Sequence, residues 1–374
     1  MTLIISFKAN NFSILLGDLL LTTEEKLPNS LDVPSVGKIP AKYNPYGLSR
    51  KVCQFSNIAL VWAGYYNKTR PIIRNIYQAT KAQGPLTLEK LDNVFSNLSH
   101  KSKEAIENKK VSLLGYLINP LGGENFGFGV NYEKFNSSLI SDVKIAGSGA
   151  KLFRTYLDHK SPYKFMDSLT NIDDRDNNFG KATAIAFSLV GSLLQLEIGT
   201  HKTFENYFGG GYEILFLKDN RFISADDVIS VFFYAQINDE VIMINPVMKI
   251  IKQMYYNDFL VIRTLEMKSQ DPNNFTHFES REDHTYFVGP IYRDVTLQEI
   301  QEISALPKLD LRAFMLCTYG VVESKNGIEH FSKMDWSKNR ELPIRFIDEG
   351  GKKMAIEIQT KYLENILDAI RTRK

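Results

Sequence analysis

The sequence predicts an α+β protein: a four-layer αββα sandwich, with two sheets face to face and helices outside both, followed by a strand-rich C-terminal extension. The first observation is the order of the elements over residues 1–218, which runs strands, a pair of helices, strands, a second pair of helices and a strand. Face-to-face sheets with helices on both outer faces satisfy that order. The second is composition: 44% apolar and 24% charged residues are typical of a globular protein with a sizeable core.

The first half begins with a hairpin. Residues 2–8 and 12–16 are rich in Ile, Leu and Phe, and the intervening Ala-Asn-Asn contains residues that tolerate positive φ, as a tight turn requires. Four prolines within 23–49 predict a long loop. Two short strands are expected over 51–64. Two helices follow, the second of them a single helix over 87–109.

The second half contains strands, a Gly-Ser-Gly turn that opens a helix at 147–149, and a strand at 211–219. Before that strand lies the apolar run ATAIAFSLVGSLLQL (182–196), which is shorter than the roughly 20 residues a bilayer requires and predicts a buried helix. Strands dominate beyond 218. The chain is therefore expected to hold one domain over 1–218 and an extension or second domain over 219–374.

Composition excludes several classes of function. Lys+Arg 45 against Asp+Glu 43 gives no electrostatic reason to expect nucleic acid or an anionic membrane as a partner. Cys53 and Cys317 are too few for a disulfide framework, and the six histidines form no metal-binding pair, so neither a metal nor another cofactor is expected. The start lacks the basic segment and cleavage site of a signal peptide, and the expected location is the cytoplasm.

Thr2 is the first candidate for chemistry. Removal of Met1 is plausible because the second residue is small, and it would leave a hydroxyl and a free α-amine on one residue. An α-amine has a reference pKa of about 7.7–8.0, so it can accept the hydroxyl proton near neutral pH. A threonine activated by its own amine is a known nucleophile.

The spacing of four further residues resembles a known family. Asp18 lies sixteen positions after Thr2, Lys51 precedes a strand, Gly64 ends the next strand within an Ala-Gly pair before a helix, and Ser148 lies in the Gly-Ser-Gly turn. In this order and context, residues 2–218 resemble the N-terminal nucleophile (Ntn) hydrolases of the proteasome β-subunit type, which include a bacterial ATP-dependent peptidase.

The resemblance implies a division of roles. Thr2 would attack a carbonyl through its hydroxyl, and Lys51 would lower the pKa of the α-amine. Asp18 would pair with Lys51 and hold it in place. The backbone N–H of Gly64 would donate to the oxyanion, and Ser148 would lie near the amine.

The resemblance also implies residues that contact substrate. Thr22 matches a position that holds the substrate backbone, and Leu21 beside it, together with Gly64, completes the implied substrate-binding residues.

The sequence also departs from the family pattern. Lys51 follows Asp18 by thirty-three positions, about twice the usual separation, and Lys38 within the Pro-rich loop is the rival lysine, although no strand follows it directly. Before the last core strand, Glu205 replaces an aspartate and Phe208 replaces a serine of the proton network.

Two functions remain open at this point. The first is a threonine-type amidohydrolase, a peptidase acting on peptides or a small amide, working as a homo-oligomer with an unfoldase or other regulatory partner. In it the loop over 23–49 would be a lid or a wall of the substrate site. The alternative is a catalytically inactive scaffold that binds a partner, which Phe208 and the long loop favour.

Overall fold

The computed structural model describes residues 2–25, 29–159, 177–238, 241–244, 247–269, 277–306, 313–324, 327–336, 344–348 and 354–371. The mixture of helices and strands that the sequence predicts is confirmed. The first strands are β1 (Ile4–Ala9), β2 (Phe12–Asp18), β3 (Leu20–Thr22), β4 (Leu31–Val33), β5 (Gly37–Ile39), β6 (Pro45–Leu48), β7 (Val52–Phe55) and β8 (Ile58–Gly64), with a 3₁₀ turn at Ala41–Tyr43.

Helices and strands then alternate as far as residue 224. The elements are α1 (Tyr66–Gln83), α2 (Leu88–Ser96), α3 (His100–Glu107), β9 (Val111–Leu117), β10 (Phe126–Val130), β11 (Glu133–Phe135), β12 (Ser141–Ala146), α4 (Ala150–His159), α5 (Asn177–Thr200), α6 (Lys202–Glu205), β13 (Tyr212–Lys218) and β14 (Arg221–Ser224).

Two antiparallel sheets form the N-terminal part. One has the order β11-β12-β1-β2-β13-β14 and the other the order β10-β9-β8-β7. Apolar side chains from both sheets, among them Ile4, Leu15, Val61 and Leu114, form one buried cluster, so the two sheets pack on each other. The predicted hairpin is present: Asn10 and Asn11 adopt φ of 45° and 69° between β1 and β2.

Three helices cover the four-stranded sheet. Ile72 and Ile76 of α1 and Leu91 of α2 pack in one cluster with strand residues such as Leu60. The single helix expected over 87–109 is wrong: the chain leaves the helix after α2, and the Ser99 side chain accepts a hydrogen bond that caps α3. Serine favours helix starts because its hydroxyl accepts from an otherwise unpaired N–H.

Helix α5 is the apolar helix that the sequence predicts. By length and composition alone, Asn178–Thr200 could cross a membrane, but 78% of its most apolar window is buried inside the protein. One side packs on the six-stranded sheet, through residues such as Ile5. The other packs on the C-terminal sheet, through residues such as Tyr319. Helix α5 is therefore a core helix between two sheets.

The C-terminal part is built on a nine-stranded sheet. Its elements are β15 (Val228–Asn238), β16 (Val241–Ile244), β17 (Val247–Tyr256), β18 (Phe259–Lys268), β19 (His277–Val288), α7 (Leu297–Ser304), β20 (Met315–Ser324), β21 (Gly327–Trp336), β22 (Ile344–Asp348), β23 (Met354–Ile358) and α8 (Thr360–Arg371). The strand order is β21-β20-β15-β17-β18-β19-β23-β22, with β16 paired to β15. Tyr362 and Ile366 of α8 pack on the face away from α5.

The extension contacts the N-terminal part at a second place. Ile291 and Tyr292 join the core beneath α1, where the Tyr292 ring packs edge-on against Phe55 with centroids 4.7 Å apart. Arg70 of α1 donates to the carbonyl of Ile291 and pairs with Asp294. The N-terminal six-stranded sheet also continues to β14, six residues past the expected boundary at 218.

Candidate active site

Thr2 lies at the start of the first hairpin and is held by Asp18. Strand β1 pairs with β2 in a register that sets Ile4 opposite Gly17, so the next residues outward, Leu3 and Asp18, meet at the open end. The Thr2 hydroxyl donates a hydrogen bond to Asp18 Oδ1, and the Leu3 N–H donates to the same oxygen at 3.0 Å. The sixteen-residue spacing thus follows from hairpin register.

Asp18 is fully buried and accepts a third hydrogen bond, from the Gly209 N–H to Oδ2 at 2.9 Å. Burial raises the pKa of Asp18, because the charged form loses solvation. The charge of Lys51 and the hydrogen bonds from Thr2, Leu3 and Gly209 oppose that shift. The carboxylate is therefore oriented by three donors, one of which is the Thr2 hydroxyl.

Lys51 is buried close enough to Asp18 for the two charges to interact, but it makes a different hydrogen bond from the one expected. Its Nζ donates to the Leu20 carbonyl at 2.9 Å and lies 4.6 Å from the centroid of the Trp62 ring. Burial lowers the pKa of Lys51, and the charges of Asp18 and Glu213 oppose the shift. Among the described residues, the ion pairs within 4 Å do not include Asp18 with Lys51. The oxygens of Asp18 accept instead from Thr2, Leu3 and Gly209.

Gly17 explains how a lysine from the second sheet reaches this point. A Cβ on Gly17 would lie 2.7 Å from the Lys51 Cβ, closer than side chains approach. Glycine at position 17 therefore allows the Lys51 side chain to pack directly over β2. The rival Lys38 lies exposed on β5. Lys51 is thus the lysine that the structure places beside Asp18.

The Gly-Ser-Gly turn surrounds the backbone of Thr2. The Thr2 N–H donates to Ser148 Oγ at 3.2 Å, and the Gly149 N–H donates to the Thr2 carbonyl at 3.2 Å. Helix α4 begins at the next residue, Ala150. Thr2, Asp18 and Ser148 are therefore joined by hydrogen bonds, with Lys51 beside them.

The other predicted residues lie outside this network. Gly64 ends β8 with φ of 112°, Leu21 packs against the core beneath α1, and the Thr22 hydroxyl is buried. Glu205 is exposed on the short helix α6. Within the described part of the chain, no hydrogen bond joins Thr2 to Gly64, Thr22 or Glu205.

Phe208 occupies the position where the family pattern has a serine. It is fully buried, and a Cβ on Gly149 would lie 2.7 Å from its ring, so the ring packs directly against the Gly-Ser-Gly turn. An apolar ring therefore stands where a hydroxyl is expected, and Ser148 is the hydroxyl that reaches the Thr2 nitrogen.

The loop that is expected to be a lid or a wall of the substrate site packs against α6. In the loop over 23–49, Val33, Ile39 and Tyr43 form a cluster with Phe204 of α6, and Ser35 is fully buried. The described part of the loop also lies beside the glycine run 209–211, because a Cβ on Gly210 would lie 3.6 Å from the Val33 Cβ.

A buried charged cluster supports the strand that carries Lys51, and sequence reasoning missed it. Glu213 accepts from Arg50 Nε at 2.9 Å, from the backbone N–H groups of Lys51 and Val52 at 2.9 and 3.2 Å, and from the Tyr255 hydroxyl at 3.1 Å. Burial would lower the pKa of Arg50, but the adjacent Glu213 carboxylate raises it above its ordinary value. The sequence feature that could have indicated this cluster is the pair of adjacent charged residues Arg50 and Lys51.

The residues of this network are buried. Thr2 is 1% exposed, and Asp18 and Lys51 are fully buried. Met1, whose removal the sequence analysis expects, lies outside the described residues. The described residues therefore place Thr2 within a buried polar network.

Comparisons with known proteins give a limited result. No protein-family model and no curated protein sequence matches the chain. Among solved structures, the crystal structure of eukaryotic HslV from Trypanosoma brucei matches with 13% identity and a TM-score of 0.26. The match covers 57% of this chain and 98% of that chain.

Proposed function

We propose that the chain is a threonine-type amidohydrolase of the Ntn class, a peptidase or small-amide hydrolase built on a four-layer αββα sandwich, with Thr2 as the nucleophile. The observation that carries the proposal is the contact of the Thr2 hydroxyl with the buried Asp18 carboxylate, with Ser148 on the Thr2 nitrogen. A threonine placed by chance behind an initiator Met requires no such set of partners.

The proposed reaction uses the chain's own groups. After Met1 is removed, the Thr2 α-amine accepts the hydroxyl proton while Oγ1 attacks the amide carbonyl, and the proton passes to the departing amine as the C–N bond breaks. Water then hydrolyses the ester and restores the hydroxyl. The charge of Lys51 lowers the pKa of the α-amine, and the Gly64 N–H is proposed to donate to the oxyanion.

Labelling with an electrophile tests this function. An epoxyketone or β-lactone that reacts with N-terminal threonine, followed by peptide mapping, is expected to mark Thr2 in the wild type and nothing in Thr2→Ala. Lys51→Ala is expected to lose most of the label, and the exposed-lysine variant Lys38→Ala to keep it. Absence of label from mature wild-type protein that has lost Met1 would refute the proposal.

An inactive scaffold that binds a partner is the second candidate, and Phe208 favours it, because a buried apolar ring stands where a hydroxyl is expected. This function predicts that Met1 stays on the mature chain, whereas the enzyme requires its removal. Intact mass of protein purified from its native host distinguishes the two, and retention of Met1 in most molecules would refute the enzyme.

We also propose, with the enzyme, a cytoplasmic homo-oligomer that confines access to the site and works with a regulatory partner such as an unfoldase. The uncovering of Thr2 would then accompany Met1 removal or assembly. Sedimentation velocity of the mature protein tests the oligomer, and a monomer at micromolar concentration that still carries labelled Thr2 would contradict it.

A further inference from the structure

Glu197 is a buried carboxylate with four hydrogen-bond donors around it. Oε1 accepts from the Ser35 hydroxyl and from the Gly210 N–H at 2.8 Å. Oε2 accepts from the Thr203 hydroxyl and the Tyr212 hydroxyl, each at 3.1 Å. Glu197 is fully buried, and an acidic side chain is retained inside a protein only when its oxygens are well satisfied.

These four donors come from three parts of the chain, since Gly210 and Tyr212 are only two residues apart. Ser35 belongs to the long loop between β3 and β6, Thr203 to α6, Gly210 to the glycine run 209–211, and Tyr212 to the start of β13. Glu197 itself lies near the end of α5. One side chain therefore fastens three segments to α5 at a single point.

The glycine run connects this point to Asp18. The Gly209 N–H donates to Asp18 Oδ2 at 2.9 Å, whereas the next N–H, of Gly210, donates to Glu197. The Gly209 carbonyl accepts from the Leu20 N–H at 2.9 Å. A Cβ on Gly209, whose φ is 123°, would lie 2.1 Å from Glu197 Oε2, so the carboxylate lies directly against this residue. The N–H groups of two consecutive residues thus bind the two carboxylates: Gly209 donates to Asp18, and Gly210 donates to Glu197.

From this geometry we propose that Glu197 is a positioning residue for Asp18. By holding the Gly210 N–H it fixes the peptide turn whose preceding N–H orients the Asp18 carboxylate toward the Thr2 hydroxyl. Through Ser35 it also fixes the long loop against the same turn. The proposal rests on the proposed function for its effect on reactivity, but the contact itself stands on the structure.

Three variants test the role. Glu197→Ala removes the acceptor for Gly210. Glu197→Gln keeps it, because the amide oxygen can accept from Gly210 and Ser35 while the NH₂ donates to the two other hydroxyls, which can accept. Tyr212→Phe removes one of the four donors and keeps the rest, in case Glu197→Ala does not fold. Glu104→Ala, at an exposed glutamate on α3, is the matched control.

The first readout is the rate of covalent labelling of Thr2, resolved into kinact and KI. Glu197→Ala is expected to lower kinact by about tenfold or more with KI within about twofold, and Glu197→Gln to restore kinact to within about fivefold of wild type. A kinact for Glu197→Ala equal to that of Glu104→Ala would overturn the proposal.

The second readout does not depend on catalysis. Hydrogen–deuterium exchange of the peptides that contain Leu20 and Gly209 is expected to accelerate in Glu197→Ala and, less strongly, in Tyr212→Phe. Unchanged exchange in both peptides would overturn the positioning role. If wild-type protein takes no label while this exchange still accelerates, the proposed function fails and the positioning contact is supported.

Discussion

Removal of the Glu213 carboxylate is expected to be one of the most destabilising single changes in the protein. Glu213 is fully buried and accepts four hydrogen bonds, from Arg50, Tyr255 and the backbone of Lys51 and Val52. The Arg50 side chain is only 11% exposed, and Glu213 is its carboxylate partner. Arg50 Nη1 and Nη2 donate to the backbone carbonyls of Asp258 and Val52.

The expected magnitude follows from these contacts. Glu213→Ala leaves a buried guanidinium without its counter-charge, which costs about 3–5 kcal/mol of unfolding free energy. Glu213→Gln keeps the side-chain volume, and its oxygen can still accept from the Lys51 and Val52 N–H groups. Its NH₂ then faces the Arg50 Nε–H, so the variant loses both the charge opposite Arg50 and the hydrogen bond from it, and about 1.5–3 kcal/mol is expected.

Urea unfolding followed by far-UV circular dichroism measures both variants. Glu104→Ala is the control, because an exposed surface substitution is expected to change stability by less than about 0.5 kcal/mol. We predict that Glu213→Ala is the least stable variant, that Glu213→Gln is intermediate, and that Glu104→Ala is close to wild type. A Glu213→Ala variant within about 1 kcal/mol of wild type would show that this cluster does not stabilise the fold and that the reasoning is wrong.

Two further predictions concern the site. Gly17→Ala should lower the free energy of unfolding by about 1–3 kcal/mol and abolish labelling of Thr2, because the new methyl group meets the Lys51 Cβ at 2.7 Å. Gly47→Ala is the control and should be neutral, because a Cβ there has nothing within 4 Å. Equal urea midpoints for the two variants would contradict this prediction. Burial raises the pKa of Glu197 to about 7, from about 4.3 in the unfolded chain. Its contribution to stability is therefore fully present below about pH 4.3 and is lost as pH rises through about 7. Of the groups facing it, burial raises the pKa of Tyr212 well above its usual value and lowers that of Lys249 to about 8, so neither changes charge below pH 7. The free energy of unfolding of wild type minus that of Glu197→Gln should thus fall by about 2 kcal/mol from pH 5 to 7, and a difference independent of pH would refute the assignment.

Local features of the fold could be predicted because their determinants lie close together in the sequence. Asn10 and Asn11 make the turn of the first hairpin, and that turn fixes the register that brings Asp18 beside Thr2. Likewise, the apolar run within α5 predicts burial whatever packs against it. In contrast, the break after α2 was missed because the helical pattern continues through 97–99, and the Ser99 cap is a weak signal beside it.

Contacts between distant segments were the part that sequence could not supply. The order of residues gave Lys51 as a candidate but not its hydrogen bond to Leu20, which depends on how closely the two sheets approach at Gly17. Glu205 was expected near the amine because the resemblance places an acidic residue there, yet Glu205 lies exposed on α6.

The sequence by itself determined the first hairpin and the buried apolar helix, because turn chemistry and periodicity act over a few residues, whereas Asp18 was expected to pair with Lys51 and instead accepts from Thr2. Only the tertiary structure decided which carboxylates lie around the site. Glu197 and Glu213 acquire their partners from segments that meet only when the sheets, the long loop and the C-terminal extension pack together. Burial then raises the pKa of Glu197, because its charged form loses solvation that only the donors assembled by folding replace.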